Sequence, residues 1–245
     1  MNKTWIIAMR ELASFFDSLI AYMLIIIFLG ITGYFTWLSD GNLFAQGQAT
    51  LQVFFAWSFW TLFFFIPAIT MRTLAEENRS GTIEILITKS VSDWQVVAGK
   101  YLACLVLVGI ALLCSIPYYF TVSSIASENA GVDHGAIFGG YLGLILLSSA
   151  YISIGIFASS LTSNQIVAFL AALVITFFFQ FLLELIGRGM GGWMGSLLTY
   201  LSAGRHFDSI YRGVMDSRDL LFFISVTAVG LFLSQMVLSK RRWRD

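Results

Sequence analysis

The chain has 245 residues, of which 58% are hydrophobic, 16% aromatic and only 11% charged, with zero formal net charge. Soluble domains carry ~25% charged residues, so an ordinary soluble domain is excluded, and zero net charge gives a nucleic-acid partner no electrostatic support. Apolar runs of ~20 residues fit the ~30 Å hydrocarbon core at 1.5 Å rise per residue, and alternating barrel strands are absent. The expected fold is an all-α polytopic membrane protein with six transmembrane helices.

At the start, Trp5, Met9, Leu12, Phe16 and Leu19 recur at steps of four and three, with Lys3, Arg10, Ser14 and Asp17 on other faces. This predicts an N-terminal amphipathic interfacial helix over residues 1–18 with its apolar stripe toward the membrane. The alternative is a first turn that leads straight into the span. The segment lacks a short apolar core followed by a small-residue cleavage site, so no removable signal peptide is expected.

Spans are expected at about 19–38, 51–71, 101–123, 137–161, 166–186 and 220–238. Tyr34 and Trp37 suit the far interface of the first, and Pro67 should bend the second near its end. Between the second and third lies a charge-dense stretch, Met71 to Lys100, with Arg72, Glu76, Glu77, Arg79, Glu84, Lys89, Asp93 and Lys100. Gly81 should break the helix leaving the second span, and Thr82 to Thr88 can form a short helix parallel to the membrane. Ser92-Asp93-Trp94-Gln95 then reads as a capping box, with Val91 and Val96 as a staple. Lys100 is expected to anchor the membrane edge.

Cys104 and Cys114 fall ten residues apart in one helix, roughly 15 Å along its axis, too far to bridge. In the fourth span Gly139 and Gly143 form G-x-x-x-G, followed by Ser149, Ser153 and Gly155. Both a contact between chains and packing within one chain are open. The connection from Gly187 to Asp219 carries Trp193, Leu197, Leu198 and Leu201, then Phe207, Ile210, Tyr211, Val214 and Met215 near helical spacing. Two short amphipathic or re-entrant helices are expected before the last span.

Six spans put both termini on one side. That side, which includes the 72–100 segment, holds ten Lys and Arg against four on the other: Arg188, Arg205, Arg212 and Arg218. This favours cytoplasmic termini. Asp208, Asp216 and Asp219 are available to pair with the four outer arginines.

Little enzymatic chemistry is visible. No G-x-x-x-x-G-K-[ST] loop occurs, and Gly187-Arg188-Gly189-Met190-Gly191-Gly192 follows no strand and reads as a flexible bend. The two histidines, His134 and His206, fall in expected outer loops and read as solvated residues rather than zinc ligands. Gln180 and Glu184 share one face of the fifth span with Arg188 a turn further on. A Glu184–Arg188 pair explains them structurally, and a place on a substrate path explains them functionally. The runs Phe54-Phe55, Phe63-Phe64-Phe65 and Phe177-Phe178-Phe179 suit lipid contact, with a hydrophobic ligand as the alternative.

The charged stretch is the most informative part. Its charges alternate with Leu74, Ile83, Ile85, Leu86 and Ile87, more apolar surface than a solvated loop needs. Something should cover it.

R-T-L-A-E-E-N-R-S-G-T-I-E-I-L-I-T, Arg72 to Thr88, followed by S-D-W-Q-V-V-A-G-K, Ser92 to Lys100, resembles the second-span exit and coupling helix of ABC-2 type transporter permeases. Arg205 to Phe223 resembles that family's approach to its last span. Ser90 departs from the pattern, since relatives often carry proline there, and a looser turn is expected. Within the family the chain is similar to the permeases associated with bacterial gliding motility. The resemblance implies a single ABC-2 transmembrane domain over 1–245 in a bacterial inner membrane, with a cytoplasmic coupling helix. It implies a non-catalytic subunit of an exporter that binds no cofactor itself, with ATP and Mg on a separate ABC ATPase dimer. A second permease chain, membrane lipid and, in gliding systems, an auxiliary membrane protein with a large outer domain are the further expected partners. The ATPase-coupling residues expected are Glu76, Glu77, Arg79, Ser80, Gly81, Thr82, Ile83, Glu84 and Leu86. A membrane scaffold that binds an ATPase without moving solute is the alternative. An intramembrane enzyme lacks a nucleophile and base, and an importer lacks the E-A-A-x-x-x-G loop.

Overall fold

The computed structural model describes residues 3–40, 43, 50–81, 91–126, 131–214 and 216–242. Among them no strand occurs, and six helices are long and apolar enough to cross a membrane: Ile20–Trp37, Gln52–Ser80, Asp93–Ile125, His134–Leu161, Gln165–Gly189 and Ser217–Lys240. These overlay the six expected runs; the first lies within its expected bounds and the other five extend past theirs, because the helical hydrogen-bond ladder continues where the sequence turns polar.

The fourth span is the centre of the bundle. It packs against the second, third, fifth and sixth, and small residues let it do so. A Cβ on Gly140 would overlap the Phe55 ring, one on Gly155 would overlap Thr70, and one on Gly143 would press on Ile210 at 3.0 Å. The small-residue stripe is thus used within the chain. Phe54 and Phe55 are buried in this packing, not turned to lipid, whereas Phe64, Phe177 and Phe178 are exposed. The aromatic runs therefore split between core and perimeter.

Several hydroxyls inside the bundle bond to the backbone of their own helix, whereas Ser58, Ser148 and Thr176 have no partner among the described residues. Thr32 donates to Phe28 O at 2.7 Å, Thr70 to Ile66 O at 2.8 Å and Thr227 to Phe223 O at 2.8 Å. Back-bonding of this kind removes the cost of an unpaired hydroxyl where no water is available. Longer links join helices: Tyr101 Oη lies 2.6 Å from Ser149 Oγ, which lies 2.9 Å from Thr227 Oγ1. Third, fourth and sixth spans are tied by that one chain.

The third span departs from the single run expected. It ends as Asp93–Cys114 and restarts as Ile116–Ile125, with Pro117 in the first turn of the second piece. Proline has no N–H to continue the ladder. Ser115 Oγ donates to Leu112 O at 2.7 Å and Tyr141 Oη to Ser115 O at 3.2 Å, which satisfies carbonyls at the break.

The N-terminal helix, Lys3–Asp17, buries Ile7, Ala8 and Phe15 against the third span, while Trp5 and Met9 stay exposed. It crosses at Gly99, where a Cβ would come within 2.7 Å of Ile7 Cγ2. Two apolar faces, one toward the protein and one outward, replace the single stripe expected, because the third span runs on far enough to meet it.

Replacing Gly140 by leucine should drive the side chain into Phe55 and cost about 1–3 kcal/mol. Gly109, with nothing within 4 Å of its Cβ position, should accept alanine with no loss. Thermal denaturation of both variants in detergent checks this: the first should melt several degrees lower, the second no lower than the parent.

Candidate functional site

Two polar sites stand out, one at each end of the bundle. At the end that holds the termini, Lys100 is 1% exposed and its Nζ lies 2.8 Å from Glu11 Oε1 and 2.8 Å from Glu77 Oε1. Lysine does not reach out to the membrane edge as expected; it is enclosed. The cause is geometric. Ile7 seats the N-terminal helix on Gly99, so Glu11, one turn later, arrives beside the next residue of the third span. The exit of the second span brings Glu77 from the other side. Arg10 lies 3.5 Å from Glu11 Oε1 on the outer side, and Glu77 Oε2 is buried with no hydrogen-bond partner among the described residues. A cleft of about 220 Å³ opens here, bordered also by Arg72, Glu76 and Ser80.

The exit itself is built by Ser159, from the end of the fourth span. Its Oγ accepts from Leu74 N at 3.1 Å and Ala75 N at 2.9 Å and donates to Met71 O at 3.0 Å. It thus does for the short helix Ala75–Ser80 what an N-cap side chain does within one segment. Asn78 Nδ2 donates to Thr162 O at 3.2 Å, a second tie to the same end of the fourth span. Gly81 closes the helix at φ +70°, a left-handed conformation that glycine adopts without strain. The capping box is present: Gln95 N lies 3.3 Å from Ser92 Oγ and Ser92 N 3.2 Å from Gln95 Oε1.

Of the expected coupling residues, Glu76, Arg79, Ser80 and Gly81 are exposed, with Glu76 paired to Arg72 at 3.2 Å. Glu77 is turned inward, so its carboxylate is placed to position the exit and not to face solvent. Thr82, Ile83, Glu84 and Leu86, the coupling helix they would form, and Ser90 lie outside the described residues. No sequence signal pointed to Glu11 or Ser159. Their partners are 89 and 85 residues away, so only tertiary packing pairs them.

At the opposite end the fifth span changes pitch. Phe178–Leu182 forms a π-helical turn that carries Gln180, and such turns reposition backbone and side chains, often at functional sites. The 187–219 connection folds back as helices Gly192–Tyr200 and Ala203–Tyr211. The glycine cluster makes the bend between the fifth span and the first short helix, with Gly192 at φ +78°; a Cβ on Gly187 would overlap Thr199, and one on Gly195 would overlap Met190 O. Gly204 allows the second short helix to approach Gln180 O, which accepts from Ser202 Oγ at 3.2 Å.

His206 is not the solvated residue expected. It is 3% exposed, with Nδ1 2.6 Å from Asp219 Oδ1 and Nε2 2.7 Å from Tyr200 O. Asp219 therefore serves His206, not an outer arginine, and the pair clamps the short helices to the start of the sixth span. Arg188 pairs with Glu184 at 2.5 Å, as their spacing implied, and of the four outer arginines Arg212 pairs with Asp208 at 2.8 Å. The Tyr211 phenol is pushed above its ordinary pKa by burial and by a hydrogen bond to Asp208, so it stays neutral. Among the described residues no group of three His, Cys, Asp or Glu could hold a metal ion.

The family model described as ABC-2 family transporter protein matches residues 39–203. No curated protein matches the chain.

Removing the central cation alone should be costly. Lys100→Met leaves two carboxylates facing one another and should destabilise the fold by about 3–5 kcal/mol, whereas replacing Lys100, Glu11 and Glu77 together by methionine or leucine should recover most of it. Thermal unfolding of the single and triple variants in detergent is the measurement.

Proposed function

The chain belongs to the ABC-2 transporter family, whose members are membrane permeases of ABC transporters, and we propose that it is the permease subunit of an ATP-driven exporter. It is a multi-pass membrane protein, and the family implies an ABC ATPase partner and usually a second permease chain. In the proposed arrangement the whole of 1–245 acts as one transmembrane domain in a bacterial inner membrane with both termini cytoplasmic. ATP and Mg belong to the ATPase, and this chain carries no catalytic step. The narrower reading, a permease of the GldF kind in gliding motility with an auxiliary outer-domain protein, rests on the resemblance of the Arg72–Lys100 and Arg205–Phe223 segments.

The observation that carries the coupling proposal is the construction of the second-span exit. The exposed surface of Glu76, Arg79, Ser80 and Gly81 belongs to a short helix that Ser159 and Asn78 fasten to the fourth span and Glu77 fastens to Lys100. A push on that surface is therefore delivered to the second, third and fourth spans together, since packed interiors transmit displacement instead of absorbing it. Thr82, Ile83, Glu84 and Leu86, next in the chain, would complete the contact with the ATPase. At the other end, Gln180 and Glu184 are assigned to the substrate path.

Purification from native membranes should bring down a stoichiometric Walker-motif ATPase. In the reconstituted complex, Gly81→Pro, whose ring holds φ near −65°, should leave membrane insertion intact and lower substrate-stimulated ATP hydrolysis by roughly tenfold. Glu84→Lys should act in the same direction. Unchanged coupling in both variants would sink the proposal, and ATP hydrolysis without movement of any solute would point instead to a mechanical scaffold.

A further inference from the structure

Beside the π-helical turn lies a polar cleft of about 450 Å³ set into an otherwise apolar bundle. Its walls hold Gln180, Glu184, Arg188, Arg205, Asp208 and Arg212. Three cations and two carboxylates leave one positive charge over. Arg188 and Arg212 are paired with Glu184 and Asp208, so the excess sits on Arg205, which is exposed and has no ion-pair partner among the described residues.

Gln180 adds a second, independent observation. It is 3% exposed, and its Oε1 accepts from Tyr151 Oη at 2.8 Å, which turns Nε2 the other way. That Nε2 is buried without a partner among the described residues. A buried amide donor left unmade costs about 1–3 kcal/mol, and the arrangement recovers that cost only when an acceptor enters. An unpaired cation and a buried amide donor without a partner, on two residues that line one cleft, call for an oxyanion.

The same cleft has aromatic walls, Phe59 from the second span and Phe181 from the fifth. Phe181 is exposed on the bundle perimeter, and Gln180 lies fifteen residues into its span, about 22 Å along the axis. That depth lies just past the middle of the 25-residue span Gln165–Gly189, toward the end that carries Arg205. We propose that this cleft binds the phosphate-class headgroup of an anionic amphiphile, with Arg205 and Gln180 Nε2 on the oxyanion and the tail laid past Phe181. The proposal deepens the substrate-path reading by naming the ligand class.

Native mass spectrometry of the full chain, without any ATPase, should show phosphatidylglycerol bound at least about tenfold more tightly than phosphatidylcholine. Arg205→Ala, at an exposed position, should erase that preference, and Arg205→Lys should keep part of it. Gln180→Glu retains an acceptor for Tyr151 but replaces the donor with an acceptor and should also erase it. Equal binding of the two lipids, or a preference unchanged in Arg205→Ala, overturns the proposal. Displacement of the lipid by an equal concentration of inorganic phosphate overturns the amphiphile and leaves a free oxyanion. Because the assay omits the ATPase, a failure of coupling leaves its result standing; selective binding that does not stimulate ATP hydrolysis in the complex would instead remove the site from the transport path.

Discussion

One buried ammonium organises the end of the bundle where the chain starts. Lys100 is held between Glu11 and Glu77, and those three residues come from the N-terminal helix, the third span and the exit of the second. A lysine in an apolar setting must be paired, and here two carboxylates converge on it. The arrangement fixes where three segments meet. Its contribution to stability is small for its burial, since an apolar replacement of all three would fill the same space without the desolvation penalty.

Around that point the fourth span acts as the common wall. Its glycines admit Phe55, Thr70 and Ile210 to close contact, and its last residues provide Ser159 to the second-span exit. The same helix reaches the other end through Tyr151, which orients Gln180. Displacement at either end is therefore felt by one continuous, closely packed element. In the proposed coupling, that helix is what would carry a push at Glu76 and Arg79 to the cleft at Arg205.

The opposite end shows how an apolar bundle tolerates irregular backbone. The π-helical turn shifts the fifth span by one residue and leaves Gln180 O to Ser202. The short helices that follow are held by His206 between Asp219 and Tyr200 O and by glycine contacts at Gly187 and Gly195. At the π-helical turn and at the Tyr200 carbonyl, Ser202 and His206 supply the hydrogen bonds that irregular backbone needs in a low-dielectric environment.

Much of this was legible in the chain alone. Runs of ~20 apolar residues specify spans because the bilayer sets their length. Local devices, namely the Ser92–Gln95 capping box, the Glu184–Arg188 pair and the helix stop at Gly81, could be read because each lies within a few residues of its partner. The family pattern in Arg72–Lys100 was legible for the same reason. What the sequence did not reveal is long-range. The enclosure of Lys100, the capping of the second-span exit by Ser159, the burial of His206 on Asp219 and the open donors of Gln180 and Arg205 depend on which helices meet, and at what height. An amphipathic or apolar stripe says that a face will be covered but not by what. Only the packed bundle, where small residues let particular helices touch, decides which polar groups find one another and which are left open.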